Sequence, residues 1–378
     1  MGPQRALDRA LAACPTHPPY NIYVTTPAKD QRASGRRGKM LRAILALVVV
    51  AALLAAGLGG TISALNRTVY SAGGFVEQYL DALDRGDTVG ALALGGVMPT
   101  AAELAAAELP VELPETLLRA SVLSGLSEIE LKSDTPSNAA GDDTHQVVFD
   151  FDLNGTASTM AFTVKRAGTF AGVFNAWTFA VSPLAVLQVS VLHERTFTVN
   201  GLTLDTRAQA AADAPATFSS GAAYLAFAPN RYTFEHSSAM LNSEKTSVRV
   251  SASGATAVEI DALPNEEMIA QVQSELNKFL DECATQAVLQ PTSCPWGLTI
   301  DDRIEGAPAW SITGYPAVEL TAGEQSFEMV ATAGQAHIVV EVQSLFDGDI
   351  STRDEDVPFT MGLSVVVQPS GALAIQLH

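Results

Sequence analysis

The chain has 378 residues, of which 47% are hydrophobic, and a formal net charge of −19 at neutral pH. This length allows two or three domains with substantial cores, and the share of apolar residues excludes a chain that is disordered throughout. The mean hydropathy of +0.18 is high for so acidic a protein. The apolar residues must therefore be concentrated in one part of the sequence.

An uncharged apolar segment runs from Ala43 to Asn66. Its 24 residues would span about 36 Å as a helix, more than a hydrocarbon core of about 30 Å. Residues 43–66 are therefore predicted to form a single transmembrane helix and to be the contact with the membrane. Basic residues precede it at Arg32, Arg36, Arg37, Lys39 and Arg42, whereas only Arg67 follows directly. Because basic flanks stay in the cytoplasm, we expect a single-pass protein of the cell membrane with residues 68–378 outside.

Two other interpretations of this segment are open. A buried core helix is disfavoured because such helices rarely contain so many consecutive apolar residues. A cleaved signal peptide is disfavoured because the apolar part is too long and too many residues precede it. If translation starts at Met40, however, the sequence from there resembles an export signal. Residues 1–42, which are basic and rich in proline, are predicted to be a disordered cytoplasmic tail.

The region after residue 42 carries 14 basic and 39 acidic residues, a net charge of −25. This charge argues against nucleic acid or anionic lipid as a partner of the exterior. It is compatible with cation binding or with a cationic partner. A solvated surface that keeps the exterior soluble explains it most simply.

Residues 71–183 are predicted to form an α+β domain. Phe75, Tyr79 and Leu83 recur at helical spacing, and Gly86 is expected to end that helix. Two further short helices are predicted, at 101–109 and 114–124. A strand is expected at 175–181.

Between 147 and 164 the apolar period changes to two, around an Asn-Gly turn at 154–155, the strongest short hairpin signal. The register predicts Phe149 opposite Met160 on an apolar face, with Asp150 and Asp152 on the other face. If that face is concave, these two carboxylates would line a cavity. If it is convex they are solvated, as acids on strands usually are.

The same residues also read as the opening of a calcium loop, D-x-D-x-N-G. Such a loop needs a bidentate glutamate at its twelfth position, where this chain has Ala161. The hairpin accounts for every residue in the segment and the calcium loop does not. No metal site is therefore expected at Asp150 and Asp152.

Residues 184–262 contain short alternating segments at regular spacing and no helical pattern, which is typical of a small all-β sandwich. An Asn-Gly turn at 200–201 predicts a second hairpin, with Phe197 and Leu204 on one face.

Residues 263–378 are predicted to form a second α+β domain that opens with a helix over 265–286. Cys283 lies on the apolar stripe of that helix, and Cys294 follows after a short loop. An isolated cysteine pair outside the cytoplasm predicts a disulfide. A zinc site would need further ligands, and a redox motif would need C-x-x-C spacing. The densest acidic run, 347–358, is predicted to be a solvated loop.

The segment FVEQYLDALDRGD, followed by helices, strands and NAWTFAV, resembles the nuclear-transport-factor-two-like (ketosteroid-isomerase-like) fold. The later segments TFTVNG, YLAFAPNRYTF and FLDECATQAVLQPTSCPWG extend the resemblance to membrane-anchored actinobacterial surface proteins, with distant similarity to surface proteins associated with teicoplanin resistance. The resemblance implies two cone-like α+β domains, 71–183 and 263–378, that flank the β-module 184–262. Such proteins often carry a cytoplasmic zinc ribbon, for which Cys14 alone is insufficient.

No catalytic motif is present, and His145, His193, His236 and His337 each lack a nearby cysteine or second histidine in sequence. We therefore expect no enzyme, no cofactor and no nucleic-acid partner. The hypothesis is a non-enzymatic scaffold or binding protein of the cell envelope, with a cell-wall or membrane-protein partner. The alternatives are a sensor that couples an external ligand to a membrane partner, and an enzyme with a small-molecule site in one cone.

Overall fold

The computed structural model describes residues 34–137, 143–209, 217–368 and 370–378. The protein is mixed α+β with an apolar helix near its N-terminus, as the sequence predicts. The chain divides into two compact units, 1–61 and 62–378. The second unit contains all the described strands, which form the sheets that carry the candidate sites.

Helix α1 comprises Ser34–Arg67. Its part from Lys39 to Arg67 is long and apolar enough to cross a membrane, and its large side chains between Met40 and Leu58 are 49–73% exposed. The helix begins earlier than predicted, so residues 34–42, expected to be disordered, are helical. Residues 36–42 are mostly Arg, Lys, Met and Leu, which have high helix propensity. The apolar helix can therefore extend N-terminally through this segment. The remainder of the predicted tail lies outside the described residues.

Three short helices and a four-stranded sheet follow α1. The helices are α2 (Ala72–Asp84), α3 (Thr88–Ala93) and α4 (Ala101–Ala106). The strands are β1 (Leu126–Pro136), β2 (Thr144–Leu153), β3 (Ala157–Phe170) and β4 (Phe174–Phe179). They pair antiparallel in the order β1-β2-β3-β4, and α2 packs against this sheet.

Helix α2 ends where its sequence predicts. At its start the Ser71 hydroxyl accepts a hydrogen bond from the Gly74 amide at 2.9 Å, which satisfies one of the free amides of the first turn. It ends just before Gly86, whose φ of +70° is a conformation that glycine adopts at no steric cost. The predicted stripe that includes Phe75 and Tyr79 is buried against the sheet.

The β2–β3 hairpin has the predicted register. Phe149 pairs with Met160 and Val147 with Phe162. Asn154 and Gly155 both adopt positive φ, 53° and 80°, as a two-residue turn of type I′ requires. The apolar face of the hairpin is buried and its Asp-containing face is partly exposed.

The helix predicted at 114–124 is wrong. Only Ala120–Val122 forms a single 3₁₀ turn. Leu117 is fully buried and forms an isolated parallel bridge with Ala226. Pairing with a strand that comes much later in the chain has overridden the local helix propensity of this segment.

The predicted β-module consists of short strands in three sheets. They are β5 (Ala185–Leu192), β6 (Thr196–Val199), β7 (Leu202–Asp205), β8 (Ser220–Ala226), β9 (Asn230–Glu235), β10 (Leu241–Asn242), β11 (Thr246–Val250), β12 (Gly254–Asp261) and β13 (Leu263–Pro264). The sheet orders are β12-β5-β8, β11-β9-β6-β7 and β10-β13. Strand β5 is parallel to β12 and antiparallel to β8. The predicted β6–β7 hairpin is confirmed, with Phe197 opposite Leu204.

The C-terminal region combines one long helix with a six-stranded sheet. Helix α5 comprises Glu266–Ala284, and the Asn265 side chain caps its first turn. The strands are β14 (Arg303–Ile304), β15 (Ala309–Gly314), β16 (Thr321–Ala322), β17 (Phe327–Gln343), β18 (Ile350–Val367) and β19 (Leu373–Leu377). The predicted loop at 347–358 is wrong from residue 350 onward, because these residues pair with β17 in a long hairpin.

The buried side chains form two clusters. The first contains residues between Ala72 and Ile260, so the predicted domains 71–183 and 184–262 share one core. The second surrounds α5 and its sheet. A hydrogen bond crosses the first cluster: the Tyr79 hydroxyl donates to the Ala228 carbonyl oxygen at 2.9 Å, within a fully buried environment.

Replacing Tyr79 tests this connection. Tyr79→Phe should lower the free energy of unfolding by about 1–3 kcal/mol, because it leaves the buried Ala228 carbonyl without its donor. Tyr224→Phe is the matched control, since Tyr224 is also buried but its hydroxyl has no partner among the described residues. Chemical denaturation of the two variants measures the difference. An equal effect of both substitutions would contradict a specific role for the Tyr79 bond.

Candidate functional site

Asp150 and Asp152 line a shallow depression on the exposed face of the first sheet. The depression has a volume of about 750 Å³ and opens widely to solvent. Its walls come from β1, β2 and β3, and include Glu128, Lys132 and Thr159. The carboxylates face away from the buried side chains of Phe149 and Phe151.

Asp150 is held by two neighbouring strands. It accepts hydrogen bonds from the Thr159 hydroxyl on β3 and from the Lys132 ammonium on β1, the latter at 3.1 Å. These donors, Thr159 first, hold the pKa of the Asp150 carboxyl below its ordinary value. A catalytic base needs a raised pKa, and this carboxylate has the opposite shift.

Asp152 has a local structural role. Its carboxylate accepts a hydrogen bond from the Gly155 amide, which closes an Asx-type turn at the end of the hairpin. The D-x-D-x-N-G pattern is thus explained by turn formation. In the described part of the chain, no group of three or more His, Cys, Asp or Glu side chains is arranged to hold a metal ion.

The opposite face of the same sheet is filled by aromatic rings. Phe75 and Tyr79 from α2 lie 5.0 and 5.4 Å from Phe179, measured between ring centroids. Phe162 lies 6.2 Å from both Tyr79 and Phe179. These side chains are all buried, so they fill the space between the helix and the sheet.

A second depression, of about 440 Å³, lies along the exposed face of α5. It is polar, and its lining includes Asn277, Lys278 and Asp281. The Tyr315 hydroxyl donates a hydrogen bond to Asp281 at 2.5 Å. This bond raises the pKa of Tyr315. Nothing in this open, solvated arrangement brings a nucleophile, a base and an oxyanion donor together.

Two histidines on strands are each paired with acids. His145 bonds Asp134 at 2.6 Å. His337 on β17 lies between two acids of β18, with Nε2 3.2 Å from Asp354 and Nδ1 2.9 Å from Asp356. The acidic run predicted as a loop thus provides partners for His337. These pairs hold adjacent strands together on the sheet surface.

Cys283 and Cys294 lie at disulfide distance, as predicted, with their Cα atoms 5.8 Å apart. Cys283 is buried on α5 and Cys294 lies in the loop that follows. Gln286 supports this loop, because its side chain accepts a hydrogen bond from the Thr292 amide at 2.8 Å. The bond therefore attaches the end of α5 to the start of the segment that leads into the sheet.

No protein-family model matches the chain, and no curated protein is significantly similar to it. Functional inference therefore rests on the geometry above.

The sequence alone does not indicate Lys132 and Thr159 as partners of Asp150. The predicted register, with Phe149 opposite Met160, also brings Thr159 opposite Asp150, but it does not reveal their hydrogen bond. Lys132 lies on β1, whose alternation is broken by bulges; one occurs between Ser127 and Glu130, where Glu128 has a φ of +52°. A bulge shifts side chains between faces, so a period of two does not reveal such a strand.

The disulfide should stabilise the C-terminal region. Cys283→Ser or Cys294→Ser should each lower the free energy of unfolding by about 2–4 kcal/mol, since each opens the same loop in the unfolded chain. The double variant should lose no more than either single variant. Denaturant unfolding and thiol counting check this, and additive losses or two free thiols in non-reduced protein would rule out the bond.

The Asp150 bonds predict how its carboxyl titrates. Thr159→Ala and Lys132→Ala should each raise the pKa of Asp150 toward its ordinary value, because the Thr159 bond and the Lys132 bond and charge all lower it. Carboxyl-carbon NMR titration measures both shifts. The two bonds to Asp150 stabilise the fold at pH values above the pKa that Asp150 has in the unfolded chain. This stabilisation is lost as the pH falls through the lower pKa that Asp150 has in the folded protein.

Three further results complete this test. Because Asp150 is exposed, the melting temperature should change little in either variant. Added calcium should leave the melting temperature unchanged as well. An Asp150 carboxyl that titrates well above its ordinary value would instead indicate a buried, site-like environment.

Proposed function

We propose that this protein is a non-enzymatic, membrane-anchored scaffold or binding protein of the cell envelope, with residues 68–378 outside the cytoplasm. The observation that carries the proposal is the exposure of the apolar segment of α1, none of whose most hydrophobic window is covered by protein. The basic residues before this segment support the orientation. The net charge of −25 after residue 42 suits a solvated exterior.

The interior of the first α+β region supports a non-catalytic role. Aromatic side chains fill the space between α2 and its sheet. Asp150 is paired with Lys132, and its pKa is lowered. A binding surface for a protein or wall polymer is therefore more compatible with this exterior than an enclosed small-molecule site.

The cone-like arrangement of the two α+β regions is also part of the proposal. In each, a helix precedes an antiparallel sheet and buries an apolar stripe: α2 against four strands, and α5 next to six. This order supports the resemblance to the nuclear-transport-factor-two-like fold. The teicoplanin-resistance resemblance rests on the segments quoted above.

A sensor is the second candidate, and one observation favours it. Only residues 68–71 separate α1 from α2. In addition, Asn66 near the end of α1 is hydrogen bonded to the β3–β4 turn. A helix end held this firmly by the exterior could transmit a displacement, whereas a flexible linker would absorb it.

The lysines of the chain provide a test of both topology and partner. A membrane-impermeant amine reagent applied to intact cells should modify the exposed Lys132 and Lys245 but leave Lys39 unmodified, because Lys39 lies on the cytoplasmic flank. After permeabilisation Lys39 should react as well. Peptide mass spectrometry gives the readout. Modification of Lys39 in intact cells would reverse the topology, and a mature N-terminus near residue 60 would favour the Met40 export interpretation.

A cross-linking form of the same reagent tests the scaffold function. The full chain should capture specific envelope proteins or wall fragments that a version ending at Ser71, with the anchor alone, does not capture. Captured material identical for both versions would contradict a binding role of residues 72–378. A small molecule that co-purifies with the exterior at a fixed ratio would instead favour a receptor or an enzyme.

A further inference from the structure

An aromatic and apolar patch surrounds the C-terminal end of α1. It consists of Val69, Tyr70, Phe170, Val173 and Phe174, and we call it the juxtamembrane patch. Val69, Phe170 and Val173 are 51%, 63% and 44% exposed. Tyr70 stacks on Phe174 with ring centroids 4.4 Å apart, and Phe170 lies 6.5 Å from Tyr70. The exposed apolar groups are therefore parts of one continuous surface.

Hydrogen bonds fix the β3–β4 turn to the end of α1. The Asn66 amide nitrogen donates to the Val173 carbonyl oxygen at 2.9 Å, and the Asn175 backbone amide donates to the Asn66 side-chain oxygen, also at 2.9 Å. A few residues further on, the Trp177 indole donates to the Tyr70 carbonyl oxygen at 3.0 Å. These bonds hold the β3–β4 turn beside Asn66, at the C-terminal end of α1.

The position of Asn66 places this turn at a membrane boundary. Asn66 is the last residue of the uncharged segment, and Arg67 is the first charge after it. If the segment spans the bilayer, Asn66 lies where hydrocarbon gives way to head groups. Tyr70 suits this depth because its ring is apolar and its hydroxyl can remain hydrated. The apolar rings of Phe170 and Phe174 suit the boundary between head groups and acyl chains.

The local charge also suits a phospholipid surface, although the exterior as a whole is acidic. The hairpin 157–179 contains Lys165 and Arg166 and no acidic residue. Asp143, directly before β2, is a neighbouring acid, since its carbonyl oxygen accepts from the Arg166 amide at 3.1 Å. The net negative charge after residue 42 argues against contact with anionic lipid in general. This hairpin is locally basic, so that argument does not apply to it.

We propose that the juxtamembrane patch inserts into the outer-leaflet interface around α1, with phospholipid as its occupant. Phe170 and Val173 enter the boundary between head groups and acyl chains, and Tyr70 lies beside them. This second contact fixes the tilt of the exterior relative to the membrane. The inference rests on the proposed membrane anchoring.

The test measures lipid contact of a label in the full chain, in nanodiscs that contain nitroxide-labelled phosphatidylcholine. A fluorophore is attached to Ala171→Cys in a Cys14→Ser background, because Ala171 is exposed and lies between Phe170 and Val173. The control is Leu345→Cys, on an equally exposed turn of another sheet beside Phe346, which is 98% exposed. Leu53→Cys, in the middle of the apolar segment, reports whether the helix spans the bilayer.

Quenching at residue 171 should be several-fold stronger than at 345, because an interfacial label meets the nitroxide lipid. Replacing both Phe170 and Val173 by Ser in the Ala171→Cys chain should weaken that quenching. Asn66→Ala should weaken it too, since the turn is then released from the helix end. The double Ser substitution changes exposed side chains, and Asn66→Ala removes a single hydrogen-bonding side chain, so we expect the fold to persist. Circular dichroism checks that the sheet is retained.

The possible failures are separable. Quenching at 53 with equal quenching at 171 and 345 would overturn the patch proposal and leave the anchor intact. Absence of quenching at 53 would overturn the anchor and the patch together. Unchanged quenching at 171 after the double Ser substitution would overturn insertion. Shielding of the label at 171 from solvent that occurs in native membranes but not in nanodiscs would assign the patch to a protein partner. That result would overturn the lipid assignment.

Discussion

The exposure of the apolar part of α1, whose most hydrophobic window is not buried by any described residue, is the constraint on which the proposed architecture depends. Each large apolar side chain of such a helix gains about 1.5–3 kcal/mol when it leaves water, so a lipid environment would stabilise it. The chain then passes, within residues 68–71, from α1 to the folded, acidic region that contains the sheets. That short connection brings the first sheet close to the end of the helix, where Asn66 and the β3–β4 turn meet.

Local sequence patterns, such as turn residues and apolar periodicity, explain why several elements could be predicted correctly. The Asn-Gly turns at 154–155 and 200–201 predicted two hairpins with the correct register, because positive φ at both positions selects one turn type. The apolar stripe of α5 indicated both the helix and the buried position of Cys283. The assignment of Asp150 and Asp152 to the face opposite Phe149 followed from the same alternation.

Long-range pairing accounted for what could not be predicted. Segment 114–124 has helical residues, but Leu117 pairs with Ala226 instead. The acidic segment after residue 350 has a composition typical of a loop, yet it pairs with β17 as a strand. His337 on β17 is a partner of its acids. Lys132 reaches Asp150 from a bulged strand whose alternation is lost. In each case the decisive neighbour is distant in sequence, and a local pattern contains no information about it.

The parallel pairing of β5 with β12 has a consequence for how residues 62–378 fold. Antiparallel neighbours such as β2 and β3 can meet as soon as both have been synthesised. Strand β5, in contrast, keeps one edge open until Gly254–Asp261 has emerged, although its other edge can already pair with β8. An open edge invites pairing with other chains, and non-local closure slows folding. If the chain crosses a membrane during synthesis, as proposed, the open edge of β5 is a place where a chaperone or rapid export of the next residues would prevent such pairing.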